Sequence, residues 1–147
     1  MRRGYFGIGI YHTKNSINVG TLWRSAQNFG AAFLFTIGRR YQRQASDTLH
    51  TWKHIPLIHY ETFSDFLSCR PFDCLLIGIE QTEESMSISK FSHPERAIYL
   101  LGAEDNGLPS EVLDECQKVV HIDTPMCLNV AVAGSIVMFD RNRNHEI

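Results

Sequence analysis

Short, almost uninterrupted apolar runs recur along this chain with helix-like stretches between them, and that alternation constrains the fold more than any other feature. The runs fall at 5–11 (YFGIGIY), 31–37 (AAFLFTI), 55–60, 73–79 (DCLLIGI), 97–101 (AIYLL) and 119–122 (VVHI). Helical patterns occupy 18–29, about 44–53, 62–69, 109–117 and 127–140. A strand that is apolar on both faces must be covered on both, and strands separated by helices pair in parallel. The expected fold is α/β, a mostly parallel sheet covered by helices on both faces. A length of 147 residues supports a real core, and residues 1–147 are expected to form a single domain. The polar stretch 80–95 (EQTEESMSISKFSHPE) reads as a long surface connection.

Several function classes fall away on composition. No apolar run reaches membrane-spanning length, and the first residues lack the apolar segment of a secretory leader. The four cysteines (Cys69, Cys74, Cys116, Cys127) show neither CxxC pairing nor zinc-type spacing with histidine, so a reducing cytoplasmic setting and no metal are expected. The seven histidines are scattered. Net charge is only −2, but its distribution is uneven. Residues 1–53 hold eight Lys and Arg against one acid, Asp47, for a net +7, and the remainder is −9. A basic half of that kind suits a phosphate-bearing partner, although solvated surface charge would give the same count.

Two helices stand out. In the first, Val19, Leu22, Trp23, Ala26 and Phe29 form one apolar stripe. Asn18 is the expected N-cap and Gly30 the terminator, with Gly20, Arg24 and Asn28 on the opposite face. The second, CLNVAVAGSIVMF at 127–139, is apolar almost all round. It is too short to span a bilayer, so it belongs in a central core, in a dimer interface, or in both.

GIGIYH at 7–12 is not a dinucleotide fingerprint, because its glycines lie inside the strand and the third glycine is missing. Cys127 reads as a buried structural cysteine rather than a nucleophile. In AIYLLGAEDNGLP (97–109) a strand runs into Gly102 and Glu104. Ligands of parallel sheets bind beyond the carboxyl ends of strands, where Gly102 would admit a ligand and Glu104 would place charge. A plain turn, with Pro109 opening the next helix, is the other reading. HIDTPMCLNVAVAG (121–134) repeats the design, with Asn129 at a helix start either as a plain N-cap or as part of a site.

Together these loops resemble the three motifs of the SpoU/TrmH branch of the SPOUT, or alpha/beta-knot, methyltransferases. The first motif is matched by Asn18, Gly20, Arg24, Ala26, Phe29 and Gly30, and the second by Leu101, Gly102, Glu104, Gly107 and Leu108. Pro125, Met126, Leu128, Asn129 and Val130 match the third. The three follow in the family's order and span nearly the whole chain. Cys127 stands where the family usually carries serine, and the loop from Ile122 to Leu128 is short for it. No RNA-binding extension is expected, which makes the chain similar to the minimal TrmL-like type.

The resemblance implies S-adenosylmethionine-dependent methylation of a ribose 2′-oxygen in RNA, tRNA favoured over rRNA, by a homodimer with a deep C-terminal trefoil knot. It assigns Arg24 to catalysis, with Asn18, Glu104 and Asn129 orienting it and the ribose. Ile79, Gly102, Ile122, Met126 and Leu128 would hold the cofactor. A guanidinium does not deprotonate in proteins, so Arg24 is expected to grip phosphate and stabilise charge rather than accept the proton. Arg39, Arg40, Tyr41 and Arg43 offer charge and one ring for RNA contact beyond the site. The alternative is a knotted module that binds RNA or S-adenosylmethionine without methylating.

Overall fold

In the computed structural model, which describes residues 4–38, 55–103 and 107–145, the apolar runs become strands of one sheet. With one further short strand, β5 (Met86–Ser87), they are β1 (Tyr5–Tyr11), β2 (Phe33–Ile37), β3 (Leu57–Tyr60), β4 (Leu75–Ile79), β6 (Arg96–Gly102) and β7 (Lys118–His121). Every pairing between them is parallel, in the order β3-β2-β1-β6-β4-β7-β5. The helices are α1 (Ser16–Phe29), α2 (Phe63–Cys69), α3 (Ser110–Glu115) and α4 (Val130–His145). The 44–53 helical pattern lies outside the described residues.

Alternation along each strand divides the core between the two faces. Phe6, Ile8 and Ile10 of β1 pack with Val19, Leu22, Trp23 and Ala26 of α1 and with Val130, Val137 and Met138 of α4. On the other face Phe33, Phe35, Ile98 and Leu100 pack with Phe66 of α2 and Val112 of α3. Each fully buried Leu, Ile or Phe adds roughly 1.5–3 kcal/mol relative to exposure. The strand glycines of GIGIYH serve this second face. A Cβ on Gly7 would meet the Phe33 ring at 2.4 Å, and one on Gly9 the Phe35 ring at 2.5 Å. The two glycines are the recesses into which the neighbouring strand's rings fit.

Three local expectations are corrected. Asn15, not Asn18, caps α1, its Oδ1 accepting from Ile17 N at 2.8 Å. Asn18 therefore lies inside the first turn and is only 7% exposed. The last helix begins later and runs further than expected. Its polar tail is partly core, since Arg141 is 0% exposed. Finally, the 80–95 connection contains β5, a 3-10 turn at Ile88–Lys90, and the buried side chains Phe91 and His93.

His93 belongs to a network at the amino ends of the strands. Its Nδ1 lies 2.7 Å from Tyr99 Oη and its Nε2 2.7 Å from Asp140 Oδ2. Arg141 donates to Tyr99 Oη at 3.1 Å and to the carbonyls of Pro94 and Glu95 at 2.7 and 2.8 Å. A buried charge is tolerated only with such partners. The network fixes the far end of α4, so the near end is held at the opposite edge of the sheet.

The order of the strands also sets the chain's path. β7 inserts between β4 and β5, which precede it, and the chain then returns across the sheet so that α4 packs on α1. Three polar ties hold those two helices together. Asn129 Nδ2 donates to Asn18 Oδ1 at 3.0 Å, Ser135 Oγ to Ser25 Oγ at 2.9 Å, and Asn142 Nδ2 to Phe29 O at 2.9 Å.

Candidate functional site

The carboxyl ends of β4, β6 and β7 open onto one cavity of about 810 Å³. Its walls are the strand ends Ile79, Leu101, Gly102 and Ile122, the loop 123–128, and Val130 and Ala133 of α4. This is where a parallel sheet presents a ligand site, and the volume is that of a pocket for a small organic molecule. All five residues assigned by resemblance to the cofactor, Ile79, Gly102, Ile122, Met126 and Leu128, line this single cavity. Met126 is 81% exposed, at the tip of its loop. Cys127 is also exposed rather than buried, which corrects the expectation of a structural core cysteine.

Gly102 is required by a different contact from the one anticipated. A Cβ there would lie 2.4 Å from Gly107 C and 2.7 Å from Leu108 N. The chain turns back on itself at that point, closed by a bridge between Ala103 and Gly107. The glycine thus admits the loop's own backbone beside the cavity. Glu104 lies outside the described residues, as do Arg39, Arg40, Tyr41 and Arg43.

Of the polar residues, the structure joins Asn18 to Asn129. Asn129 Oδ1 accepts from Ala131 N and Val132 N at 2.9 and 3.2 Å, so it does cap α4, while its Nδ2 spends a donor on Asn18. A plain cap needs only the oxygen; the amide nitrogen ties α1 to the cavity's helix. Arg24 stands on the exposed face of α1 and is not part of the cavity wall. Six residues beyond Asn18 place it about 9 Å further along the helix. Thr21, about one turn before it on α1, lines a second, shallow groove of about 360 Å³ between α1 and α4, with Phe29, Val132, Ile136 and Phe139 among others.

Two carboxylates on the cavity wall escaped the motif reading. Glu80, directly after β4, accepts from Leu108 N at 2.8 Å. Asp123 accepts from the Ser87 hydroxyl and lies 3.0 Å from His121 Nε2. The Ser87 hydrogen bond foremost holds the Asp123 carboxyl below its usual value against an opposing desolvation, with His121 and Lys90 adding lesser pulls in the same direction as Ser87. No cluster of metal-ligating side chains occurs among the described residues. No helix among them is long and apolar enough to cross a membrane.

The family described as the SpoU rRNA Methylase family matches residues 6–139. The tRNA (guanosine(18)-2′-O)-methyltransferase TARBP1 of Mus musculus is 27% identical over 135 residues, which are 86% of this chain and 8% of that protein. The tRNA (guanosine(18)-2′-O)-methyltransferase of Saccharomyces cerevisiae is 28% identical over 74 residues, 48% of this chain and 5% of its own. This chain thus spans less than a tenth of the length of either relative. A solved structure concerned with 2-OH methylation of C/U34 on tRNA superposes with TM-score 0.82 at 25% identity, covering 97% of each chain. The AdoMet-bound rRNA methyltransferase from Sinorhizobium meliloti shares the fold at TM-score 0.86 and 21% identity, over 98% of this chain and 58% of that one.

Proposed function

The chain belongs to the SpoU rRNA methylase family, and from that premise we propose that it transfers a methyl group from S-adenosylmethionine to a ribose 2′-oxygen of RNA, with tRNA the favoured substrate. The observation that carries this reading is the convergence of Ile79, Gly102, Ile122, Met126 and Leu128 on one cavity, whose helix is tied through Asn129 to the Asn18 of α1. The solved relative concerned with tRNA 2-OH methylation, alike over 97% of both chains, supports tRNA.

The cavity fits the donor chemically. Ile79, Leu101, Ile122, Leu128 and Val130 offer an apolar bed for an adenine ring, and Glu80 and Asp123 bring negative charge to the wall of a site for a cation. The donor supplies a methyl group already activated on a positive sulfur. What remains for the protein is alignment of the 2′-oxygen and help in losing its proton. Arg24 offers a permanent charge and a planar set of donors to the neighbouring phosphate, which holds the ribose and stabilises negative charge on its oxygen. The proton leaves to phosphate, water or another group, because the guanidinium keeps its own. Asn18 and Asn129, with Glu104, orient this end of the site.

The same proposal includes a homodimer, a single domain over 1–147, a C-terminal knot and a cytoplasmic setting. The dimer is supported by an apolar face on α1 and α4, where Ile17, Val132 and Phe139 are 62%, 47% and 59% exposed. The knot is supported by the insertion of β7 between β4 and β5. The test of activity is incubation with tritium-labelled S-adenosylmethionine and either total tRNA or rRNA. Label is expected in tRNA, and Arg24→Ala is expected to abolish it while leaving donor affinity within a few-fold. Donor binding with no label on any RNA favours a binding module; equal labelling by the variant refutes the role of Arg24.

A further inference from the structure

The connection from β4 to β5, residues 80–87, touches both loops that wall the cavity, and the proposed chemistry uses only the charge of Glu80 from it. At its start Glu80 N donates to Val120 O at 3.0 Å, stitching the connection to β7. The Glu80 carboxylate then accepts from Leu108 N at 2.8 Å through Oε2 and from Gln81 N at 3.2 Å through Oε1. It occupies the space a side chain on Gly107 would need, and Gly107 has φ of 62°. At the other end Ser85 Oγ lies 2.8 Å from His121 Nδ1, and Ser87 Oγ donates to Asp123 Oδ2. Ser85 is itself fixed, accepting from Thr82 N at 3.0 Å and donating to Thr82 O at 2.7 Å.

We propose that residues 80–87 form a strut that sets the spacing of the two cavity walls, with Glu80, Ser87 and Asp123 as positioning residues for the methyl donor. The inference rests on the cavity being the donor site. The two walls come from different strands: Gly107 and Leu108 follow β6, and the 122–128 loop follows β7. A ligand lying between them binds well only if their separation is set beforehand, since ordering loops on binding costs affinity. A carboxylate accepting backbone amides fixes one wall against the end of β4. The serine, histidine and aspartate contacts fix the other against β5, and the same short segment carries both sets. The short loop from Ile122 to Leu128 gains through Asp123 an anchor outside itself.

The test uses the full chain with Glu80→Ala, Glu80→Gln and Ser87→Ala. Hydrogen exchange of the donor-free protein, calorimetric binding of S-adenosylmethionine and of S-adenosylhomocysteine, and the single-turnover rate at saturating donor are measured together. Glu80→Ala should raise exchange at Gly107 and Leu108, and Ser87→Ala should raise it over 121–128. Each should weaken both ligands about tenfold, the scale of one lost charge-assisted hydrogen bond, with a smaller effect on the saturated rate. Glu80→Gln keeps an oxygen for Leu108 N and should recover most of the affinity for S-adenosylhomocysteine, which carries no sulfonium charge. Unchanged exchange in both alanine variants overturns the strut. Raised exchange with unchanged affinity overturns the positioning role, as does a Glu80→Gln variant that binds S-adenosylhomocysteine no better than Glu80→Ala does. If the unaltered protein binds neither ligand, the donor-site assignment fails, while the exchange pattern still decides whether the strut exists.

Discussion

Asn129 and Asn18, 111 residues apart, share one hydrogen bond of 3.0 Å, and through it the cap of α4 becomes part of α1. Asn129 serves two helices at once, its oxygen on the first amides of α4 and its nitrogen on the buried Asn18. Asn129→Ala loses both and should cost about 1–3 kcal/mol, a cap plus a buried hydrogen bond. Asn18→Ala loses one and should cost about 1 kcal/mol. Urea unfolding of both single variants and the double variant should show a coupling of at least about 0.5 kcal/mol. Additive losses would mean that the bond contributes nothing.

The strand glycines make a second prediction. Gly9→Ala places a methyl group within 2.5 Å of the Phe35 ring, in a core with no slack. Overpacking of this kind costs about 1–3 kcal/mol. A smaller residue at the neighbouring position should relieve it, so Phe35→Leu added to Gly9→Ala should cost less than the two separate changes summed. Denaturant midpoints of the four proteins decide this.

Much of this architecture was legible because strand patterning is local. YFGIGIY, AAFLFTI and AIYLL needed no tertiary information to be read as buried parallel strands, and the loops after β6 and β7 followed from the sheet's polarity. What was hidden depends on distant partners. Asn15 and Asn18 are equally good caps by type, and only the packing of α1 against α4 buries the second. The DRNRNH tail looks solvated, yet Arg141 is buried because Tyr99, Pro94 and Glu95 accept hydrogen bonds from it. Glu80 sits in a polar stretch without a motif, and its role is visible only beside Leu108. By residue type Gly102 suggests a ligand's approach, whereas the crowding atoms belong to Gly107 and Leu108.

Alkaline pH should weaken the fold through Tyr99. Burial lifts its hydroxyl from 10.0 to about 12, against the opposing pull of Arg141. The unfolded chain ionises near pH 10 while the folded one keeps its proton, so the stabilisation is complete below pH 10 and is lost as pH rises to about 12. The loss amounts to about 2–3 kcal/mol for a shift of this size. Cys116, raised by burial from 9.0 to about 11, acts in the same direction from a lower pH. Unfolding free energy measured from pH 9 to 12 should fall, and Tyr99→Phe should flatten the part above 10 while lowering stability at neutral pH. An unchanged slope in that variant would show that Tyr99 does not titrate as its burial requires.

The exposed face of α1 and α4 gives the last prediction. Val132 and Phe139 are two turns apart on α4 and project from the same side, with Ile17 exposed on α1. Apolar side chains grouped in this way mark a contact with another protein surface, and a self-complementary patch closes as a two-fold dimer. Light scattering should report a dimer, and Val132→Glu with Phe139→Glu should yield a monomer, since unpaired carboxylates cannot be buried in such a contact. The two sites on the chain then respond differently. Neither Val132 nor Phe139 lines the 810 Å³ cavity, so donor binding should stay within a few-fold in the monomer. Thr21, which lines the apolar groove, is about one turn from Arg24 on α1, so the setting of Arg24 should change when the partner leaves, and methyl transfer should fall by at least about tenfold, or 1.4 kcal/mol in the barrier. A monomeric unaltered protein that transfers methyl groups would overturn the dimer.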